Sequence, residues 1–330
     1  MIRRMMLAAA AALGLAAPAA AQDRVTLVLN WLPGADHAPL YWAQQQNMYR
    51  DAGIALTIEN GRGSGFAAQR TGSGQAQAGI VDTPAALQAR GQGADLVAGM
   101  MIYAQSPYGI YWRRSSGIRG PQDFRGRRFG APPADAARVM WPMIARAVGI
   151  QPNEVTWVNI APEAKVASLQ SGAIEATTHF YNVHYIYERT FGEDLGFVLT
   201  RDIGFNPYGN AFFLNGPWMR ANPDAARRFI RTTQRAYQAC LTNPAPCVAA
   251  VAGPAATSVE DLAVSWRLVA ELMQDDPAGG RALGGMDAAR MQQTIDGVRT
   301  AFNAPEMQPA QVFTNDLLDP AIPSHRAAAR

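Results

Sequence analysis

Val25-Thr-Leu-Val-Leu-Asn-Trp-Leu-Pro-Gly-Ala-Asp-His-Ala-Pro-Leu-Tyr-Trp42 is the stretch on which the fold is read. Residues 25–29 form a β-rich apolar run, short enough for a buried strand. The run ends on Asn30-Trp31, an amide beside a large aromatic surface, and Pro33-Gly34 break the strand. Asp36 is placed to cap a helix that starts near His37, carries Pro39 in its first turn and continues to about residue 50. A strand therefore stops, a loop carries Asn30, Trp31 and His37, and a helix bearing Tyr41 begins beside them. Open α/β sheets bind small molecules at such places, outside the carboxyl ends of their strands. Trp31 alone is either a ligand platform or core. The clustering of Asn30, Trp31, His37 and Tyr41 at one strand end favours a site.

The residues before this stretch read as a leader. Arg3-Arg4 make a positive start, residues 5–15 an Ala/Leu-rich core, and Ala19-Ala20-Ala21 a small-residue cleavage site, so 1–21 is expected to be a signal peptide. No later apolar run has the length of a membrane helix. The only cysteines are Cys240 and Cys247, so no lipid-anchoring cysteine follows the leader. A soluble periplasmic protein is expected. Seven residues apart in an oxidising compartment, Cys240 and Cys247 are expected to form a disulfide. No His or second Cys pair completes a metal set.

The remaining chain suits two domains, and 48% hydrophobic residues supply ample core. Without Arg3 and Arg4, 27 basic residues face 26 acidic ones, which gives no electrostatic case for nucleic acid or an anionic membrane. Lys165 is the single lysine.

Strand-like runs recur at 53–59, 77–82 and 95–103, separated by helical segments at βαβ spacing, which predicts largely parallel sheets. Asn60-Gly-Arg-Gly-Ser-Gly65 joins the second strand to a helix. Its backbone N–H groups and Ser64 either face a ligand or simply make a tight turn. Asp82, at the next strand end, is either a ligand acceptor or a helix cap. A second unit spans about 113–207, with a helix over 134–148 that Pro142 should split. Pro107-Tyr108-Gly109 and Pro207-Tyr208-Gly209 each precede an apolar strand, so the chain should leave its first lobe near 110 and return near 210. Two crossings make a hinge beside a cleft. Lobe 1 is accordingly 22–110 with 211–330, and lobe 2 is 111–210.

The pattern resembles periplasmic solute-binding proteins of ABC importers with the type II fold. Within them it is similar to the group related to thiamine-pyrimidine-precursor binding proteins and pyrimidine synthases. Asn30-Trp31 followed by His37 and Leu40-Tyr41, Gly61 to Gly65, Gly79-Ile-Val-Asp82, Pro121-Gln-Asp-Phe-Arg-Gly126 and Asn222-Pro-Asp224 carry the likeness. It covers roughly 24–318. The resemblance implies an α/β, two-lobed fold with mainly parallel sheets and a two-strand hinge. It also implies a ligand stacked on aromatics and held by amides and carboxylates, nominating Asn30, Trp31, Ser64, Asp82 and Tyr41. Relatives that bind the pyrimidine tend to show Asn, one residue, then Glu after the strand matching 174–180. Here the loop reads Asn182-Val183-His184, which points away from the aminopyrimidine and leaves a different flat heteroaromatic, such as a flavin or its precursor, open.

Asn182, His184 and Tyr181 are candidates in that loop, against a plain surface loop. Tyr108 and Tyr208 are candidates against hinge packing, and Glu163 against a first-turn charge favoured by the helix dipole. The expected function is capture of a small polar heteroaromatic for delivery to an inner-membrane ABC permease by a monomer with no cofactor. Sulfonate- or nitrate-type binding and a periplasmic sensor subunit are the alternatives. An enzyme is not expected. A synthase would imply pyridoxal phosphate on a lysine and an iron-linked cysteine-rich motif, whereas Lys165 lies outside the matching region.

Overall fold

The computed structural model describes residues 22–274 and 281–325. The expected signal peptide, 1–21, lies outside the described residues. β1 (Asp23–Val28) and β2 (Ile54–Glu59) pair in parallel, and α1 (Ala38–Gln45) and α2 (Met48–Asp51) connect them. The single helix expected here is two, because Asn47 between them adopts a left-handed φ of 57°. Asp36 makes no capping bond; the chain enters α1 through a short turn, Ala35–His37. α3 (Ser64–Gly72), β3 (Ala78–Asp82), α4 (Thr83–Gly91) and β4 (Leu96–Met101) complete the first βα run.

The chain then crosses over. β5 (Tyr108–Arg113) and β6 (Arg128–Ala131) begin a second sheet. They are followed by α5 (Ala136–Val139), α6 (Trp141–Ala147), β7 (Thr156–Asn159), α7 (Lys165–Ser171), β8 (Ala176–Phe180), α8 (His184–Phe191) and β9 (Leu195–Leu199). Pro142 falls in the first turn of α6, which is why the expected helix over 134–148 divides at Met140. β10 (Asn210–Asn215) returns to the first sheet. The helices α9 (Gly216–Ala221), α10 (Pro223–Thr242), α11 (Pro244–Ala255), α12 (Val259–Leu272), α13 (Ala288–Phe302) and α14 (Pro309–Val312) close the fold.

The strand orders are β2-β1-β3-β10-β4 and β7-β6-β8-β5-β9. In each sheet the βα units run parallel, as expected. The two crossover strands run the other way: β10 is antiparallel to β3 and β4, and β5 to β8 and β9, so both sheets are mixed. The crossings lie side by side, with Gly209 N–H donating to Tyr103 O at 2.9 Å. A Cβ on Gly209 would sit 2.8 Å from Pro107 Cδ, so this close passage requires glycine.

α10 buries Phe229, Ile230, Ala236, Tyr237 and Cys240 at helical spacing against the first sheet and turns its arginines outward. Its last turn is joined to α11 by a disulfide between Cys240 and Cys247, whose Cα atoms are 5.8 Å apart. One buried apolar cluster runs without a break from Val81 and Ala86, through Tyr108 and Tyr208, to Phe129 and Trp141. Each sheet with its helices is thus a lobe, and the lobes share core at the hinge. Among the described residues no single helix is long and apolar enough to cross a membrane.

Candidate functional site

A cleft of about 450 Å³ lies between the lobes. From the first lobe it is lined by residues 30–34, Asp36, Gly63, Ser64, Ala255 and Thr257; from the second by 135–137, 162–163, 165–166, 179–180, 182–183 and Ile186. The loop after β1, the start of α3 and the loops after β6, β7 and β8 therefore meet at the carboxyl ends of parallel strands.

Asn30 is 4% exposed and is held by His37. His37 Nδ1 accepts from Gly34 N–H at 3.1 Å, so Nε2 carries the ring proton and donates to Asn30 Oδ1 at 2.9 Å. Burial lowers the His37 pKa, more strongly than neighbouring Asp36 raises it, which keeps the ring neutral in this role. Among the described residues the Asn30 amide nitrogen has no protein partner at the cleft wall. Opposite, Asn182 is 7% exposed and its side chain has no protein hydrogen bond among the described residues, while its backbone carbonyl accepts from Ser265 Oγ at 2.7 Å. Ser64 Oγ accepts from Asp82 N–H at 3.0 Å and keeps its own proton for the cleft. Two buried amides and a hydroxyl thus present unspent polarity to one cavity.

Trp31 supplies the apolar surface. Lys165, 1% exposed, places Nζ 4.7 Å from the Trp31 ring centre, and the His179 ring meets Trp31 edge-on at 5.9 Å. Lys165 Nζ also donates to Asp135 Oδ2 and to Thr178 O, each at 2.6 Å. Asp135 Oδ1 caps α5 through Arg138 N–H at 3.1 Å and accepts from Thr178 Oγ1 at 3.2 Å. Burial lowers the Lys165 pKa, opposed by Asp135, and pushes His179 well below its ordinary value, helped by the Lys165 charge. Lys165, Asp135 and His179 were not singled out from sequence. The available signal was that Lys165 stands four residues before Leu169, on the buried face of α7.

Of the residues nominated from sequence, Asn30, Trp31, Ser64, Glu163 and Asn182 line the cleft, Glu163 at its exposed rim. His37 stands behind Asn30 and orients it. The others are placed elsewhere. Tyr41 packs on the first lobe's core from α1. Tyr208 lies in the hinge, its hydroxyl accepting from Asp287 N–H at 2.9 Å. Tyr181 sits under the Arg201 guanidinium at 4.7 Å, and His184 packs on Phe197 and pairs with Glu188 at 3.2 Å; neither lines the cleft. Tyr108 donates to Asp82 and stacks on Phe205, so both partners of that bond are hinge core.

Asp82 is fully buried, and among the described residues its Oδ2 has no hydrogen-bond partner. Burial outweighs the hydrogen bonds from Tyr108 and Ala85 and pushes its pKa up to about 7. Because the folded form binds a proton that the unfolded chain releases near pH 4, stability contributed by Asp82 is lost as pH rises from about 4 to 7. Relative to Asp82→Asn, the wild type should lose on the order of 2–4 kcal/mol across that window, read by urea unfolding at several pH values. Parallel curves for the two proteins would refute the assignment.

The glycine-rich loop serves lobe approach. Gly65 N–H donates to Ala134 O of the other lobe at 3.2 Å, and a Cβ on Gly63, whose φ is 127°, would lie 2.0 Å from that same oxygen. The sequence left this loop either facing a ligand with its N–H groups or making a tight turn. A carbonyl of the second lobe takes the Gly65 N–H.

A family model described as NMT1/THI5 like matches residues 34–246. Among curated relatives, the 4-amino-5-hydroxymethyl-2-methylpyrimidine phosphate synthase THI12 of Saccharomyces cerevisiae is 20% identical over 67% of this chain and 68% of its own length. The riboflavin-binding protein RibY of Chloroflexus aurantiacus is 25% identical over 67% of this chain and 64% of its own. A solved structure from Bordetella bronchiseptica RB50 superposes with a TM-score of 0.74 at 21% identity, covering 90% of this chain and 96% of that one. The alkanesulfonate-binding protein SsuA from Xanthomonas axonopodis pv. citri, bound to MOPS, superposes at 0.68 with 16% identity over 91% and 99%. These likenesses establish the two-lobed periplasmic-binding-protein fold.

The expectation that the chain is not an enzyme is corrected by these relatives. Proteins of yeast, Legionella pneumophila and Aspergillus parasiticus that match it are named as the pyrimidine phosphate synthase. Part of its ground also falls, since Lys165 lies in the cleft. Pyridoxal phosphate, however, does not fit these residues. The Lys165 amine is spent on Asp135, Thr178 and the Trp31 face, and Cys240 and Cys247 are bonded to each other.

Proposed function

This chain belongs to the NMT1/THI5-like family, and we propose that it captures a small, flat, polar heteroaromatic molecule between its lobes and presents it to an inner-membrane ABC permease. The observation that carries the reading is the cleft itself: one tryptophan face with two nearly buried amides, the Asn30 amide nitrogen and the Asn182 side chain having no protein partner among the described residues. A buried amide left unsatisfied costs about 1–3 kcal/mol. A ligand that supplies matching edges recovers that cost, and stacking on Trp31 adds to it. Flavins and aminopyrimidines have both the flat face and the donor and acceptor edges, and a riboflavin-binding protein and pyrimidine synthases stand among the relatives. Closure would bring the loops after β1 and β8 onto opposite edges of the ligand and create the joint surface that a permease reads. The expected leader, 1–21, and the likeness to periplasmic binding proteins support a periplasmic location, with lobes at 22–110 plus 211–330 and at 111–210.

The test is titration of the protein with riboflavin and with 4-amino-5-hydroxymethyl-2-methylpyrimidine, followed by tryptophan fluorescence. One of them should bind at one site per chain. Trp31→Ala should weaken it by about 1–3 kcal/mol, roughly 5- to 150-fold. Affinity unchanged in Trp31→Ala would return Trp31 to a packing role and remove the stacking site.

A further inference from the structure

We propose that the cleft rejects phosphorylated ligands and takes only the uncharged, unphosphorylated form of its heteroaromatic cargo, an inference that rests on the capture function above. The argument is an inventory of charge. Among the described residues the charged side chains lining the cleft are Asp36, Asp135, Glu163 and Lys165, with no arginine. Lys165 is the one cation, and it is already neutralised by Asp135 at 2.6 Å. Asp36 and Glu163 remain, so the lining carries an excess of negative charge. His179 is held neutral by burial and by Lys165 and adds none of the positive charge an anion would need.

Backbone dipoles give the same answer. A phosphate is commonly bound at a helix N-terminus by free N–H groups. Two helices of adequate length start at the cleft, α3 and α8; His184 N–H at the start of α8 donates to Tyr181 O, and most of the N–H groups around the start of α3 are taken as well. Gly63 N–H donates to Asn30 O at 2.8 Å, Gly65 N–H to Ala134 O at 3.2 Å, and Phe66 and Ala67 N–H to Gly63 O. The start of α5 is taken by the Asp135 carboxylate, and Glu163 lies in the turn that leads into α7. Acceptors supplied by the protein stand where phosphate oxygens would have to go. The groups left unspent, the amides of Asn30 and Asn182 and the Ser64 hydroxyl, are neutral and match ring nitrogens, carbonyls and amino groups. A desolvated phosphate dianion beside uncompensated carboxylates is repelled more strongly than in water. The same inventory excludes sulfonate and nitrate as cargo, although proteins of this fold bind an alkanesulfonate and nitrate. It also requires that a dephosphorylating reaction supply the cargo wherever its source is a phosphate ester.

The experiment compares two matched pairs by calorimetry: riboflavin with its 5′-phosphate, and 4-amino-5-hydroxymethyl-2-methylpyrimidine with its phosphate monoester. In the pair that binds, the phosphate is expected to be at least about 30-fold weaker than the alcohol. Glu163→Lys, which replaces an exposed rim carboxylate by a cation, should narrow that gap several-fold. A phosphate bound as tightly as its alcohol would overturn this inference and leave the capture function standing. A gap unchanged by Glu163→Lys would overturn its electrostatic basis. Failure of both pairs to bind would overturn the capture function and this inference with it.

Discussion

Asp135→Ala is expected to destabilise the protein by about 3–5 kcal/mol, a large fraction of what an ordinary domain possesses. Asp135 is the acceptor that makes Lys165 tolerable at 1% exposure, and it also holds Thr178 and the first turn of α5. Its removal leaves an ammonium in a desolvated site with one carbonyl and an aromatic face. The lysine must then lose its proton or drag the cleft floor open. A helix cap worth about 1 kcal/mol goes with it. The double variant Asp135→Ala with Lys165→Met removes the orphaned charge and should recover most of the loss, short of the cap. Urea unfolding of the wild type, Asp135→Ala, Lys165→Met and the double variant measures the coupling. A single variant costing under about 1 kcal/mol, or a double variant less stable than Asp135→Ala, would show that the pair does not hold the floor together.

Gly63→Val is expected to lower ligand affinity by about 100- to 1,000-fold, on the order of 3–4 kcal/mol, while leaving the fold intact. Two constraints act on the same residue. Its φ of 127° is costly for any side chain, and its Cβ would stand 2.0 Å from Ala134 O across the cleft. That contact is backbone, so no side-chain rotation relieves it. Relief comes from moving the second lobe away, which breaks the Gly65–Ala134 hydrogen bond and withdraws Lys165 and His179 from Trp31. The ligand would then meet one wall of the cleft at a time. Small-angle scattering should report a more open molecule that ligand no longer compacts, and calorimetry the lost affinity. Wild-type affinity in Gly63→Val would mean that binding does not need this approach of the lobes.

Sequence carried the fold further than the site. Short apolar runs broken by Pro33-Gly34 and by the loop at 60–65 marked the strand ends, and the repeated Pro-Tyr-Gly marked both crossings. Strand direction was not legible in those runs. A crossover strand buried on both faces, such as Phe212 to Leu214 in β10, has the same composition whichever way it runs. In the candidate cleft, Asn30, Trp31, Ser64 and Asn182 were nominated because polar and aromatic residues cluster at the strand ends that meet there. Tyrosines gave no such discrimination, since Tyr108 and Tyr208 satisfy their hydroxyls inside the hinge as readily as on a ligand. Lys165 was hidden by its type. A lone lysine reads as solvated surface unless its spacing to Leu169 is weighed above its charge, and its partner Asp135 reads only as a helix cap.

Capture of an uncharged heteroaromatic in the cleft is tested most directly by a thermal-shift screen of residues 22–330, run in parallel with Trp31→Ala. The panel holds aminopyrimidines, thiamine, riboflavin and its precursors, alkanesulfonates and nitrate. A ligand at about 100 times its dissociation constant adds roughly 2.7 kcal/mol, a shift of several degrees. The account predicts such a shift with a neutral heteroaromatic, reduced in Trp31→Ala, and none with the anions. A shift with sulfonate or nitrate alone, undiminished in Trp31→Ala, would contradict it.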